Sequence, residues 1–185
     1  MKSFITNNQT KQLKNRILEL ISRSEEIKIL VGFFYFSGLK ELYEGLKNNP
    51  NVKIKILVGL NVDKTNYGLI EYADTELSIS DDEKLHRFFD SIKKSINSDF
   101  FDNKDFYEQV NFFIKLIQDN RLIIRKTFQP NHAKLYIFKL DPSQVGKNAL
   151  FITGSSNLTS AGLTQEQEFN VEISDYGVDE AEDYF

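Results

Sequence analysis

Two short apolar runs constrain this 185-residue chain more than any other feature: Ile27-Lys28-Ile29-Leu30-Val31-Gly32-Phe33-Phe34 and Val52-Lys53-Ile54-Lys55-Ile56-Leu57-Val58-Gly59. Each begins by alternating and then turns apolar, the pattern of a strand that becomes buried. A helical spacing precedes each. Lys11 to Glu25 carries Leu13, Ile17, Leu20 and Ile21 on one stripe. Ser37-Gly38 opens a second helix with Leu39, Leu42 and Leu46 inward, and Asn48-Asn49-Pro50-Asn51 stops it. Helix-strand-helix-strand is the start of an α/β layer with parallel pairing, because two strands joined by a helix run the same way.

The middle of the chain reads differently. Residues 61–80 are polar and irregular. Asp81 to Ile96 reads as a helix with Leu85, Phe88, Phe89 and Ile92 on one face. Asp105 to Ile117 reads as another, with Phe106, Val110, Phe113, Ile114 and Ile117, and Ser98 to Asp102 joins the two. The last third returns to strands at 122–125, 133–138, 149–153 and 169–173. Lys139 to Asn148, with Asp141-Pro142 and Gly146, has the turn residues of a hairpin loop. The final Glu180 to Phe185 reads as the first turns of a helix without a stop, so a longer protein is expected.

Composition narrows the function classes. The chain is 41% hydrophobic and 27% charged, in keeping with a folded core. Its apolar runs fall short of the ~20 residues that span a bilayer, and the N-terminus lacks a signal-peptide pattern. It has no Cys, which removes disulfides and thiolate zinc sites and fits a cytoplasmic location. A net charge of −4 argues against a protein that coats nucleic acid along its whole surface. It leaves room for a local basic site, with Arg121, Arg125 and Lys126 as its members and the acid gathered beyond Ser174. Phe33-Phe34-Tyr35-Phe36 is expected to be core rather than a base-stacking surface.

The chemistry concentrates in two segments. Asn131-His132-Ala133-Lys134 is expected to start one strand, and Gly154-Ser155-Ser156-Asn157 to end another. Residues two apart on a strand face one side, so His132 and Lys134 point together. A neutral imidazole can attack phosphorus, an ammonium neutralises its oxygens, and a hydroxyl and a carboxamide add uncharged donors. Together these groups make a phosphate site that contains a nucleophile.

This ordered pair, His-x-Lys then Gly-Ser-x-Asn, resembles the phospholipase D superfamily. The resemblance is clear over residues 120–175 and looser over 27–61. It implies a mixed α/β fold, mostly parallel with an antiparallel hairpin and helices on both faces, in a single domain over 1–185 with a helical insertion at 81–118. It implies His132 as nucleophile, Lys134 and Asn157 as phosphate-binding groups, and Ser155 beside them. Glu168 falls where the family places an acid that orients the imidazole, and Glu172 is the alternative. The family's Asp five after the Lys is replaced by Lys139, with Asp141 two further on. The segment Ser155 to Leu163 is similar to nuclease-type and helicase-associated branches. One His-x-Lys makes half a site, and His86 lies in another context, so a homodimer with two His132 is expected. The expected activity is metal-independent, cofactor-free cleavage of nucleic acid, DNA first, in a restriction or helicase setting. ATP would matter only if a helicase domain follows. A catalytically silent DNA-binding and dimerisation module is the alternative, and a lipid phosphodiesterase a weaker one.

Overall fold

A computed structural model describes residues 4–8, 11–32, 34, 36–59, 104–143 and 148–175. The helix expected over 81–96, the irregular 61–80, His86 and the last ten residues lie outside these. In chain order the described elements are β1 (Phe4–Ile5), α1 (Leu13–Ile21), β2 (Ser24–Val31), α2 (Phe36–Glu41), α3 (Tyr43–Asn48), β3 (Lys53–Val58), α4 (Lys104–Gln118), β4 (Leu122–Lys126), β5 (Leu135–Leu140), β6 (Ala149–Gly154), α5 (Ser160–Thr164) and β7 (Asn170–Asp175).

The strands form one seven-stranded sheet in the order β1-β7-β6-β5-β2-β3-β4. β2, β3 and β4 run parallel, as helical crossovers require. The other four pairings are antiparallel, so the sheet is mixed but the expected parallel majority is corrected. The reason is local. The loop between β5 and β6 closes a hairpin, and α5 lets β7 return beside β6 instead of crossing over.

Registers show how the sheet divides its faces. Ile27, Ile54 and Leu122 are in line, as are Ile29, Ile56, Ile124, Tyr136 and Ile152. All of these are buried. The described helices lie over this face. α1 packs on α3, β2 and β5, and α2 packs on α3 and α5. Phe113 of α4 meets Phe36 edge-on at 5.6 Å and also touches Tyr43.

The helix expected after Ser37 is two short ones. The Leu42 amide turns to the Leu39 carbonyl at 3.0 Å, a tight three-residue turn that breaks the helix while Leu39, Leu42 and Leu46 all stay buried. Asn49 ends α3 as expected, its amide donating to the Ile21 and Ser24 carbonyls at 2.8 and 2.9 Å. Phe34 and Phe36 are buried core, as read, although Phe36 opens α2 instead of extending a strand.

Candidate active site

The parallel strands β2, β3 and β4 end where β5 begins, β6 ends and β7 begins, so six strand termini meet at one edge of the sheet. Ligands commonly bind at the carboxyl ends of parallel strands. Both motif segments lie here.

The first segment leaves β4 and crosses the ends of its neighbours before entering β5. The Thr127 amide donates to Val58 O at 3.0 Å, and the Asn131 amide donates to Gly59 O at 2.6 Å. Gly59 is required by this crossing, since a Cβ there would stand 2.0 Å from Asn131 O. The Asn131 side chain then accepts the Ala133 amide at 2.7 Å, a turn of the Asx kind. β5 starts only at Leu135, so His132 and Lys134 sit in this anchored loop and not, as expected, on the strand. Their side chains still converge. Lys134 Nζ lies 2.9 Å from His132 Nδ1, 3.3 Å from Nε2 and 2.9 Å from the His132 carbonyl. An ammonium has only donors, so the ring nitrogen it addresses is the acceptor. His132 is exposed while Lys134 is only 7% exposed. Burial pushes the Lys134 ammonium below the ordinary lysine range, and the charge of Glu168 partly restores it.

The second segment turns off the end of β6. A Cβ at Gly154 would stand 2.2 Å from Phe169 O, so the two chains touch here as only glycine allows. The Ser155 amide donates to Phe169 O at 3.2 Å, and its hydroxyl accepts the Phe169 amide at 3.0 Å. That hydroxyl in turn donates to Glu168 Oε2. Asn157 is half-buried, and its carbonyl accepts the Thr159 amide at 2.9 Å. Thr159 then caps α5, its hydroxyl accepting from the Gly162 amide at 2.9 Å.

Three groups that the sequence reading passed over hold this turn from behind. Tyr136, Ser156 and Asn170 have no exposed surface. Tyr136 donates its phenol to Ser156 O at 3.0 Å, and Asn170 Nδ2 donates to Ser156 Oγ at 2.8 Å. The Ser156 amide reaches Asn170 Oδ1 at 3.4 Å. Buried polar groups are retained when each finds its partner. The signal available was weak: Ser156 is the variable position of its motif, and Tyr136 and Asn170 read as ordinary strand residues.

The two candidate acids separate. Glu168 is at the edge beside Ser155. Glu172 pairs with Ile152 two residues deeper in the sheet. There both its oxygens are taken by Arg16 of α1, at 2.6 and 2.7 Å, a bidentate pair. Hydrogen bonding to Glu172 leads the causes that raise Arg16 above its ordinary range. Of the basic candidates, Arg125 is exposed at the site end of β4, and Lys126 follows it there. Arg121 is at the opposite end and donates to Val52 O and Asn49 O at 3.3 and 3.1 Å, so it ties strands together instead of facing a backbone. Asp141 is exposed in the hairpin loop, where its carboxylate accepts the Ser143 amide at 2.8 Å. Hydrogen bonding from the Ser143 hydroxyl, and then from its amide, lowers the Asp141 pKa, and its role is to shape the turn. Among the described residues no helix is long and apolar enough to cross a membrane, and no cluster of three acidic or histidine side chains could hold a metal.

A family model described as "Cardiolipin synthase, PLD-like domain" matches residues 17–185. No curated protein matches the sequence. Among solved structures, phosphatidylserine synthase from Haemophilus influenzae Rd KW20 superposes with a TM-score of 0.51 at 14% identity, over 95% of this chain and 34% of that one. NucT from Helicobacter pylori aligns over 94% of this chain and 84% of its own, with a TM-score of 0.45 and 12% identity. Nuc from Salmonella typhimurium, a phospholipase D family member, aligns over 92% and 80%, with a TM-score of 0.42 and 17% identity. At these identities the likeness concerns the fold, and the synthase carries it.

Proposed function

We propose that this chain, which belongs to the PLD-like domain family, is a metal-independent phosphodiesterase that cleaves nucleic acid, DNA first, through a phosphohistidine. The observation that supports this most is the contact of Lys134 Nζ with the His132 ring in a loop stitched to Gly59, on the same sheet edge as Ser155, Asn157 and Glu168. The similarity of residues 155–163 to nuclease-type and helicase-associated branches favours nucleic acid over lipid.

In this reading the unprotonated ring nitrogen of His132 attacks phosphorus, and a P–N bond forms as the P–O bond to the leaving nucleoside breaks. Lys134 and Asn157 neutralise and hold the non-bridging oxygens, which carry the developing charge. Glu168 holds the Ser155 hydroxyl and orients the imidazole. The leaving oxygen takes a proton from His132 of the partner subunit. That imidazole then accepts a proton from water, whose oxygen attacks phosphorus and breaks the P–N bond. Two copies enter this reading because this sequence carries one His-x-Lys, and Arg125, exposed at the end of β4 with Lys126 after it in the strand, would meet the entering backbone.

The test is plasmid nicking in EDTA. Nicking by the wild type that is lost in His132→Ala, with the cleaved DNA strand covalently trapped on His132 by an SDS quench at neutral or alkaline pH, is the expected result. Nicking that needs a divalent ion, or that survives His132→Ala, overturns the mechanism. DNA binding without nicking by either protein supports the silent module instead.

A further inference from the structure

A cleft of about 520 Å³ opens beside Asn157, walled by Ser37 of α2, by Thr159, Ser160 and by Gln165 and Glu166 after α5. Its volume is that of a small-ligand site. Because Asn157 lines the cleft and belongs to the proposed phosphate site, a phosphodiester held at Asn157 would stand at the mouth of the cleft.

The chemistry of the walls says which part of a substrate fits. Among the described residues no Lys or Arg lines the cleft, and Glu166 adds a negative charge that repels a second phosphate. The lining therefore suits an uncharged, hydrogen-bonding group. Two wall hydroxyls are already committed to the frame. Thr159 Oγ1 accepts the Gly162 amide, and Ser160 donates to Glu41 at 2.7 Å. Gln165 and Glu166 are different. Their side chains are exposed and make no hydrogen bond or ion pair among the described residues. Their backbones are fixed, with both amides donating to Ala161 O at 2.9 and 2.8 Å. Asn7 completes the anchor by donating to Glu166 O at 3.0 Å. An amide and a carboxylate thus project from a rigid rim.

A carboxylate accepts from exocyclic amino groups such as cytosine N4, and a glutamine amide pairs with an adenine edge. Thymine or uracil has no exocyclic amino group, and its single N3–H is flanked by two carbonyl oxygens that a carboxylate repels. We propose that this cleft reads one unpaired base, on the nucleotide next to the scissile phosphate, and that Glu166 and Gln165 make it favour the amino-bearing bases, cytosine, adenine and guanine, over thymine. The inference rests on the proposed function for two things, that the substrate is nucleic acid and where its phosphate lies.

Single-stranded oligonucleotides with one cleavable linkage, differing only in C, A or T beside it, test the idea. The expected kcat/KM for C and A exceeds that for T by about fivefold, the worth of one net hydrogen bond. Glu166→Gln and Gln165→Ala, both exposed changes, should compress that ratio toward one. Equal rates on all three bases, or a ratio that neither variant moves, overturns the proposal. If no oligonucleotide is cleaved, the catalytic reading fails separately, and fluorescence anisotropy of the same oligonucleotides decides the cleft. A C-over-T difference in affinity that Glu166→Gln removes upholds it. Equal affinities, or no binding, overturn it.

Discussion

Lys134 shows how one residue's surroundings set its chemistry. Folding buries it against His132, and burial lowers its pKa. Between that depressed pKa and the ordinary value of 10.5, the unfolded chain binds more protons. The stability cost of burying the ammonium is therefore present below this window and relieved as pH rises through it. Phosphate binding has the opposite sign, because it needs the cation. Affinity for inorganic phosphate, followed by NMR titration, should fall as pH climbs through the depressed pKa. Lys134→Arg, which stays charged, should flatten that fall, and an unchanged profile would refute the assignment. Behind the site, Asn170→Ala removes the donor to the Ser156 hydroxyl, which has no exposed surface. Its expected cost is about 1–3 kcal/mol in urea unfolding. His132 and Lys134 were legible from their motif. Tyr136, Ser156 and Asn170 were not, because their importance comes from neighbours distant along the chain.

Among the elements, the loop from β4 to β5 carries the proposed nucleophile, yet it has no helix or ladder of its own. Its shape is imposed by the ends of β3 and β2, through Gly59 and Val58. Gly59→Ala places a methyl 2.0 Å from the Asn131 carbonyl, where only backbone can yield. Nicking should fall at least tenfold while thermal stability drops by a smaller fraction; equal losses would mean that the loop is not what was displaced. On the helical side, Phe113 joins α4 to Phe36 and Tyr43 in a fully buried contact. Phe113→Ala should cost about 3–5 kcal/mol in chemical denaturation. The helix stripes, the strand runs and the hairpin turn were visible in periodicity and turn residues. Their joints were not. The break at Leu42 and the late start of β5 are set by what each segment packs against.

The whole molecule gathers six strand ends at one edge and leaves the site with one His-x-Lys. If the partner's His132 completes it, light scattering should show a dimer. Wild type exchanged with a threefold excess of His132→Ala should then keep about a quarter of its activity per wild-type chain. Activity proportional to wild-type chain alone would show that each copy works by itself. By itself the sequence determined the α/β class, the family and the nature of the chemical groups, because apolar periodicity and short motifs are local properties of a chain. Tertiary structure alone decided the antiparallel majority and the commitment of Glu172 to Arg16. It also decided the placing of Glu168 on Ser155 and the buried hold on Ser156. Each of these depends on which strands become neighbours and in what register. Register is settled by burying one face of the whole sheet at once, so no single segment contains it.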